Sequence, residues 1–366
     1  MRILVLNNGS SSVKYRLYDG DDLVSKGLVE RVTDYAAALR EVTGSVDLTG
    51  LGAVGHRVVH GGLRFSEPTL ITDEVVAAIE ELVPLAPLHN PANLAGIGVA
   101  RKLLPGVPQV AVFDTAFHRT LPEAAATYAI DREVADRYGI HRYGFHGTSH
   151  AYVSRRTATL LDRPLAGVNT ITLHLGNGAS ACAVEGGRSV ATSMGLTPLE
   201  GLVMGSRSGD LDPAVVFHLH RTAGMPVDEI DDLLNHRGGL MGLAGAGDMR
   251  EVLSRRAAGD RAAALAIDVY CRRIRSYVGA YYAVLGRLDA IAFTAGVGEN
   301  AAAVRAESLA GLDRLGIEID AARNDSVREG IISPEGAPVT VCVVPTDEEL
   351  EIATQTRSVI NGSAEG

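Results

Sequence analysis

The chain has 366 residues, of which 46% are hydrophobic and 21% are charged, so it is long enough for two domains with sizeable cores. Its formal net charge of −10 excludes the broad basic surface that binds nucleic acid or an anionic membrane. An anionic substrate would therefore need a local cluster of cationic side chains.

The cysteines and the N-terminus predict a cytoplasmic protein. Cys182, Cys271 and Cys342 lie far apart, which fits neither a disulfide framework nor a zinc site and favours a reducing compartment. The first residues lead directly into a predicted strand and lack the charged and apolar regions of a signal peptide. No apolar run reaches the length that spans a membrane.

The first part of the chain is predicted to begin with three strands and to continue with alternating helices and strands. The strands are expected at 2–7, 13–18 and about 22–31, followed by a strand at Ala53–His60. Next come helices at Asp73–Leu85 and Pro91–Leu104 and a short buried strand at Val110–Phe113.

The same order returns from about Asn169. After three strands, helices are predicted at Asp212–Ala223, Pro226–Asn235, Met249–Ala258 and about Arg261–Leu285, and strands at Ala290–Ala295 and Val339–Val344. This repeat favours an α/β fold of two related lobes, each a mixed β-sheet flanked by helices, with a ligand cleft between them. We expect one lobe to comprise 1–117 with 350–366, and the other 118–349.

Two similar turns mark the starts of the two halves. Asn8-Gly9 and Asn177-Gly178 both follow an apolar run of strand length and are followed by serine within two residues. Asn-Gly after a strand predicts a hairpin, because glycine accepts positive φ. Such a turn directs backbone N–H groups outward and can hold phosphate. The alternative is a pair of unrelated hairpins.

Charged side chains stand at the predicted ends of strands, where open α/β sheets bind ligands. Arg57 precedes a glycine turn, Asp114 ends a buried strand, and Glu348 with Glu349 follows the last strand. Each also has a purely structural interpretation, such as a helix cap or a surface residue. Two histidine pairs four residues apart, His56 with His60 and His146 with His150, lie among glycines or in loop-like sequence, so we do not favour zinc.

A glycine turn late in the chain allows two interpretations. Gly296, Gly298 and Ala301 follow a strand and open a helix, with Glu318 and Asp320 about twenty residues later, which outlines a dinucleotide fingerprint. Its late position disfavours a Rossmann dehydrogenase, and the same turn would also let an adenine ring approach the backbone. The sequence lacks the Gly-Lys-Ser/Thr loop of P-loop enzymes.

Several stretches in order resemble the acetate kinase family, within the larger group that includes actin, hexokinase and Hsp70 chaperones. Leu6–Lys14 resembles the family's first phosphate motif, and His174–Gly178 resembles its second. Thr192–Pro213 is similar to its long signature, and Gly296–Asn300 to its adenosine motif. The resemblance runs nearly the whole chain and implies the duplicated ribonuclease H-like fold of the actin-like ATPases.

The resemblance implies a role for each matched position. The catalytic residues would be Asp114, His146, Arg207 and Arg57. Substrate would be bound by Arg57, Val59, Leu88, Phe145 and Pro198. Asn7 and Glu348 would bind or support Mg²⁺, with Mn²⁺ as the alternative ion. The residues that would contact phosphate or hold ATP or ADP are Ser10, Ser12, Lys14, His174, Leu175, Gly176, Asn177, Gly178, Asp248, Met249, Arg250, Gly296, Val297, Gly298, Glu299 and Asn300.

The implied activity is reversible in-line transfer of the γ-phosphoryl group of ATP to acetate, and the implied assembly is a homodimer. Acetate is already ionised at neutral pH, so we expect Asp114 to orient arginines or magnesium-bound water rather than to act as an obligatory base. A propionate or butyrate kinase, a non-catalytic actin-like ATP-binding module and a nicotinamide dehydrogenase are the alternatives.

Three features depart from the family pattern. Asn8 stands where many relatives have cysteine, and the stretch between residues 20 and 50 is short. Ser208 and Asp210 differ from the usual residues beside Arg207, and we expect Asp210 to alter the charge environment of that arginine.

Overall fold

The computed structural model of this chain describes residues 1–9, 12–32, 34–87 and 89–363. These residues form two compact units. Unit 1 comprises Met1–Arg119, Phe145–Tyr152 and the chain from Asp347 onward, and unit 2 comprises Thr120–Gly144 and Val153–Thr346. The predicted sites Ser10 and Leu88 lie outside the described residues.

The boundaries of the units differ from the predicted lobes mainly at one internal segment. The prediction assigned residues 118–349 to one lobe, whereas Phe145–Tyr152 packs with unit 1. The reason is a close contact with the end of a unit 1 strand. The N–H of Gly147 donates to the carbonyl of Asp114 at 2.9 Å, and a Cβ at position 147 would lie 2.2 Å from that oxygen.

The strands are short and mostly buried, in keeping with their apolar sequences. They are β1 Arg2–Asn8, β2 Ser12–Asp19, β3 Asp22–Glu30, β4 Leu51–Val58, β5 Thr69–Leu70, β6 Gln109–Phe113, β7 Asn169–Leu175, β8 Ala179–Glu185, β9 Arg188–Thr192, β10 Ala290–Thr294, β11 Gly330–Ile331 and β12 Thr340–Val343.

Helices connect and cover these strands. They are α1 Tyr35–Ser45, α2 Asp73–Glu81, α3 Asn90–Leu103, α4 Glu123–Ala126, α5 Arg132–Tyr138, α6 Gly147–Leu160, α7 Ala214–Ala223, α8 Val227–His236, α9 Gly239–Ala244, α10 Met249–Ala257, α11 Arg261–Leu285, α12 Ala295–Asn300, α13 Ala302–Leu309, α14 Ala321–Ser326 and α15 Glu348–Ser363. Short 3-10 helices lie at Val83–Leu85, Ala116–Thr120, Leu165–Gly167 and Asp313–Leu315. None of the helices described here is both long enough and apolar enough to cross a membrane.

The two units repeat one sheet topology. Within the described residues, unit 1 has a six-stranded sheet in the order β3-β2-β1-β4-β6-β5, and unit 2 has one in the order β9-β8-β7-β10-β12-β11. In both, the first three strands pair antiparallel, the next two join in parallel, and the last pairs antiparallel. The predicted pair of related mixed sheets flanked by helices is confirmed.

The two Asn-Gly turns occupy equivalent places in the two sheets. In unit 1 the hairpin between β1 and β2 pairs Asn8 with Val13. In unit 2 the hairpin between β7 and β8 pairs Leu175 with Ala179, and the N–H of Gly176 donates to the carbonyl of Gly178 at 3.0 Å. The resemblance between the turns therefore reflects a duplicated strand order.

The long helix α11 of unit 2 forms because its sequence supplies caps at both ends and one apolar face. The Asp260 side chain caps α11 by accepting from the N–H groups of Ala262 and Ala263, and Gly286 ends the helix with φ of 65°. Buried residues recur at three- and four-residue spacing and form one apolar face, which includes Ile267, Ile274 and Val278. This face packs the helix on the sheet and places Tyr270 and Arg273 at fixed positions.

Several helices lie where the sequence analysis did not predict them, α1 and α6 among them. Helix α1 lies in the short stretch between residues 20 and 50, and its apolar face buries Ala38, Leu39 and Val42. Helix α6 begins at Gly147, inside the predicted polar loop at 143–150. Threonine, serine and histidine in that stretch mask the helical period, and contacts with the rest of the protein decide the conformation.

Candidate active site

Arg57 and Asp114 form an ion pair at the carboxyl ends of two neighbouring parallel strands of unit 1. Arg57 lies in β4, and Asp114 immediately follows β6, which pairs with β4. The Nε of Arg57 donates to both carboxylate oxygens at 3.1 and 3.0 Å, and Nη2 donates to Oδ2 at 2.6 Å. Asp114 is 1% exposed. Thr148 Oγ1 also donates to its Oδ1, at 3.4 Å.

Further acceptors surround the guanidinium of Arg57. Its Nη1 donates to Oδ1 of Asn7 at 3.4 Å. Desolvation raises the pKa of Glu348 to about 7, and the carboxylates of Asp114 and Glu349 add to this, while Arg57 and Lys14 oppose it. Because burial is the main cause, a cation bound beside the Glu348 carboxylate would stabilise its ionised form.

These oxygen atoms fit a magnesium ion that also binds phosphate. Mg²⁺ prefers oxygen ligands and commonly takes one or two protein carboxylates together with waters and substrate phosphates. Asn7 and Glu348 supply an amide oxygen and a carboxylate. Within the described ranges, no group of three or more His, Cys, Asp or Glu residues could enclose a metal.

A second ionic cluster fixes the beginning of α15, which carries Glu348. Lys14 Nζ lies 2.7 Å from Oε1 of Glu349. Arg16 Nη1 donates to both carboxylate oxygens of Asp347 at 2.8 Å, and Asp347 Oδ1 accepts from the N–H of Leu350 at 2.9 Å. Sequence reasoning missed Arg16 and Asp347. The one available signal was that Arg16 shares a strand face with Lys14.

Histidines and aromatic rings lie near the Arg57–Asp114 ion pair in unit 1. His118 Nε2 lies 2.9 Å from the carbonyl oxygen of Phe145, and its ring lies 5.7 Å from that of His150. Burial lowers the pKa of His118 to about 4, so it is neutral at pH 7. His146 has φ of 56°, a left-handed conformation that costs about 1 kcal/mol or more for a residue with a side chain.

The predicted apolar substrate residues divide between the units. In unit 1, Val59 precedes His60, whose ring lies 5.7 Å from that of Phe145. In unit 2, the carbonyl of Pro198 accepts from Nη1 of Arg207 at 2.9 Å. Burial lowers the pKa of Arg207. No carboxylate of the described residues forms an ion pair with Arg207, so its charge is available to an anionic ligand.

Unit 2 contains a cavity of about 850 Å³, within the size range of small-molecule sites. Eight predicted nucleotide residues line it: Gly176, Asn177, Asp248, Met249, Arg250, Gly296, Val297 and Asn300. The other lining residues, to which the sequence analysis gave no nucleotide role, are Gly205, Leu240, Gly247, Leu253, Tyr270 and Ala301. Ala301 belongs to the predicted glycine turn, whereas the others lie in separate elements and share no local pattern.

Five of the predicted nucleotide residues of unit 2 do not line this cavity. These residues are His174, Leu175, Gly178, Gly298 and Glu299. Leu175 is fully buried, and a Cβ at Gly298 would lie 3.7 Å from the Cβ of Leu175. These two residues therefore pack β7 against α12 and do not face the cavity. Oε1 of Glu299 accepts from the N–H of Thr346 at 3.2 Å.

Asp248 and Arg250 form a local pair at the rim of the cavity. Asp248 caps α10 by accepting from the N–H of Arg250 at 2.8 Å, and Arg250 Nη2 lies 2.5 Å from its other oxygen. These hydrogen bonds lower the pKa of Asp248 to about 2. The Arg250 side chain is 91% exposed, so its guanidinium can turn toward a ligand.

This chain is similar to known proteins along nearly its whole length. The model of the acetokinase family matches residues 32–354. A Streptomyces avermitilis protein described as acetate kinase is 59% identical over 98% of this chain and 97% of its own length. Two crystal structures, of a Porphyromonas gingivalis acetate kinase and a Francisella tularensis propionate kinase, are each 41% identical over 98% of this chain and 99% of theirs, with TM-scores of 0.94 and 0.93.

Proposed function

Because this chain belongs to the acetokinase family, we propose that it is a phosphotransferase that passes the γ-phosphoryl group of ATP to acetate, reversibly. The observation that carries the proposal is the 59% identity to an acetate kinase over nearly the full length of both chains. A carboxylate oxygen of acetate attacks the γ-phosphorus, the bond from that phosphorus to the β,γ-bridging oxygen breaks, and ADP leaves. The products are acetyl phosphate and ADP.

The reaction brings two anions together, and the positive charges of the arginines offset the repulsion between them. Two like charges 4 Å apart repel by about 4 kcal/mol at an effective dielectric constant near 20. We propose that Arg57 and Arg207 both bind the anionic reactants, since a guanidinium holds carboxylate or phosphate oxygens with two parallel bonds. Fixed cations of this kind also stabilise charge on the phosphoryl oxygens during in-line transfer.

Asp114 acts on Arg57 rather than on the substrate in this proposal. Acetate is ionised at neutral pH and needs no base. The Asp114 carboxylate is occupied by Arg57 Nε and Nη2. It leaves Nη1 of Arg57 directed at Asn7, where a ligand oxygen would compete for it. His146 lies in the same unit, and we propose that it donates a hydrogen bond to the transferring group.

We propose that Asn7 and Glu348 hold Mg²⁺, which when bound would neutralise phosphate charge. Lys14 is paired with Glu349 in the structure, so its proposed contact with phosphate requires exchange of that partner. Ser12 begins β2 beside the first turn and would add a hydroxyl donor to phosphate. The cavity of unit 2 would hold the adenosine part of ATP, with Gly296 and Val297 against the base.

Selection between acetate and longer acids is expected to be soft. One methylene contributes about 0.8 kcal/mol by buried area, and apolar pockets discriminate by about 1–3 kcal/mol. The crystal structure of a propionate kinase is as similar to this chain as that of an acetate kinase, at 41% identity, so propionate is the second candidate substrate. We propose that acetate is preferred and propionate accepted.

A homodimer is proposed through the exposed helices of unit 2. No residue of α7 is buried, although its sequence is mostly apolar. Phe217 is 56% exposed and Val215 40%, and Val227 at the start of α8 is 64% exposed. Large exposed apolar side chains on one pair of helices are typical of protein interfaces, and a second copy of the chain is the occupant we propose.

The three free buried cysteines agree with a cytoplasmic location.

A coupled trapping assay tests the activity. The protein is mixed with ATP, Mg²⁺, acetate and hydroxylamine, and acetyl hydroxamate and ADP are measured together. We expect both products in equal amounts, with propionate giving a lower kcat/KM than acetate. Hydride transfer without hydroxamate would favour the dehydrogenase. Nucleotide binding with neither product would favour a non-catalytic module.

A further inference from the structure

Arg207 lies in a loop whose two ends are joined. The N–H of Gly201 donates to Oδ1 of Asp210 at 2.7 Å, and the N–H of Asp210 donates to the carbonyl of Gly201 at 3.0 Å. The segment 201–210 is therefore closed at its base by a side chain and by the backbone. The carboxylate of Asp210 forms half of that closure.

One helix holds both ends of this loop. Arg273 of α11 donates to the carbonyl of Gly201 at 3.0 Å and to that of Asp210 at 3.1 Å. Tyr277, one turn further along α11, donates its hydroxyl to Oδ2 of Asp210 at 2.8 Å. Because α11 is packed on the sheet of unit 2 along its apolar face, it offers a rigid reference for the loop.

The far end of the loop is held by backbone contacts near the cavity. The N–H of Gly205 donates to the carbonyl of Asn177 at 3.0 Å, and the N–H of Met204 donates to the carbonyl of Arg207 at 3.1 Å. Position 205 also has no room for a side chain, since a Cβ there would lie 2.2 Å from Oδ1 of Asn177. The loop therefore links Arg207 with a wall residue of the cavity.

Arg207 has few contacts of its own to fix its position. Its Nη1 donates to the carbonyl of Pro198, and Sδ of Met204 lies 3.5 Å away. None of the carboxylates in the described residues pairs with it, and burial is the single influence on its pKa. The expectation that Asp210 alters the charge environment of Arg207 is not met, because Gly201, Tyr277 and Arg273 engage the Asp210 carboxylate.

We propose that Asp210 is a positioning residue for Arg207: it closes the 201–210 loop on α11 and so places the guanidinium for phosphoryl transfer. This inference rests on the proposed function. It assigns Asp210, Arg273 and Tyr277 to the reaction through geometry, with no contact to substrate. The acceptor oxygens of Asp210, rather than its charge, carry the effect.

The first test compares Asp210→Ala with Asp210→Asn. The asparagine keeps an oxygen for the Gly201 N–H, so we expect kcat to fall less than about threefold, whereas the alanine lowers kcat by about 10- to 100-fold. Asp212→Ala is the matched control, because Asp212 is exposed and its side chain accepts from the N–H of Ala214 at the start of the next helix. Equal losses in the asparagine and alanine variants would show that the acceptor for the Gly201 N–H is not what matters and would overturn the proposal.

The second test is a double-mutant cycle for kcat/KM. If Asp210 acts through Arg207, Asp210→Ala costs less than about twofold in an Arg207→Ala background. A general loss of stability would instead multiply the two effects, and that outcome would overturn the proposal. If Asp210→Ala folds poorly, Tyr277→Phe replaces it in the cycle. This variant removes one hydroxyl and keeps the ring, and we expect a smaller loss of kcat/KM that also depends on Arg207.

The third test does not depend on activity. Hydrogen–deuterium exchange of peptides covering 201–210 should become at least about tenfold faster in Asp210→Ala and remain unchanged in Asp212→Ala. Unchanged exchange in Asp210→Ala would overturn loop closure. If the natural protein forms no acetyl hydroxamate, the proposed function fails while this measurement still decides whether Asp210 orders the loop.

Discussion

The guanidinium of Arg57 is turned by the carboxylate of Asp114 so that two of its nitrogens are occupied and Nη1 is directed at Asn7. Nη2 lies 2.6 Å from Oδ2 of Asp114, and Nη1 lies 3.4 Å from Oδ1 of Asn7. The shorter contact fixes the orientation of the guanidinium. The longer contact is weak, so Nη1 can donate instead to an oxygen of a bound ligand. The Asp114 carboxylate therefore fixes the orientation of the guanidinium and leaves one N–H donor for a ligand.

Asp114→Asn should lower kcat by about 100-fold, which corresponds to about 2.7 kcal/mol of barrier. The amide cannot accept both Arg57 nitrogens as strongly, so the guanidinium loses its orientation. Thr148→Val is the control, since it removes only a 3.4 Å contact to Asp114 and should cost less than about threefold. Rates are measured against magnesium concentration. Activity that follows a titrating base with unchanged magnesium dependence would contradict this role.

Glu348→Gln should raise the magnesium concentration needed for half-maximal rate by about tenfold or more. The neutral amide is a weaker ligand for a hard cation than a carboxylate. Glu318→Gln, which changes a carboxylate lining a different cavity of unit 2, is the control. The measurement is initial rate at fixed ATP over a magnesium series. An unchanged half-saturation value would exclude Glu348 as a ligand.

Thermal stability should fall as pH drops from about 6.5 to about 4, because buried histidines are neutral in the folded state. Burial lowers the pKa of His56 to about 4, partly opposed by its hydrogen bond to Gln109 at 2.8 Å. The unfolded chain takes up the proton near pH 6.5, so its free energy falls relative to the folded state by up to about 3 kcal/mol for this group. Below about pH 4 the loss is complete.

The variant His56→Gln removes this titration and should show a smaller decrease in Tm between pH 6.5 and 4.5 than the natural protein. His218→Gln is the control, because His218 is exposed on α7 and its replacement should leave the pH profile unchanged. If both variants follow the natural profile, His56 does not supply the pH dependence.

Asn8→Cys should raise Tm by about 2–4 °C. Asn8 is 3% exposed, and neither atom of its side-chain amide has a hydrogen-bond partner among the described residues. A buried unsatisfied polar group costs about 1–3 kcal/mol, and cysteine fills a similar volume without that cost. Asn361→Ala, at an exposed position of α15, should leave Tm unchanged. A lower Tm in Asn8→Cys would indicate that the amide is satisfied by buried water.

Phe217→Glu should convert the proposed homodimer to monomers. The side chain is 56% exposed on a helix with no buried residue, so a charge there leaves the isolated chain folded but repels a second apolar copy. Light scattering after size-exclusion chromatography gives the mass. Ala214→Glu, at an exposed position of the same helix, adds the same charge and keeps the Phe217 ring, so it separates the loss of apolar contact from a general change of charge. A natural protein that is already monomeric would contradict the assembly.

Local patterns were sufficient to predict the repeated sheets and the strand-end charges. Apolar runs of strand length, each ending at an Asn-Gly turn, indicated β1, β2, β7 and β8, because both signals depend on neighbouring residues. The positive φ expected at these glycines is not found, since neither Gly9 nor Gly178 adopts it. Arg57 and Asp114 were found for the same reason, since both stand where a strand ends.

The sequence by itself thus determined the order of elements, the family and the two arginines. The tertiary structure alone decided which groups those side chains meet. Lys14 pairs with Glu349, 335 positions later in the chain, and the Asp210 carboxylate turns away from Arg207 to Tyr277 of α11. Local spacing constrains a residue's neighbours over a few positions, whereas ion pairs and loop closure depend on distances that exist only after distant elements have packed.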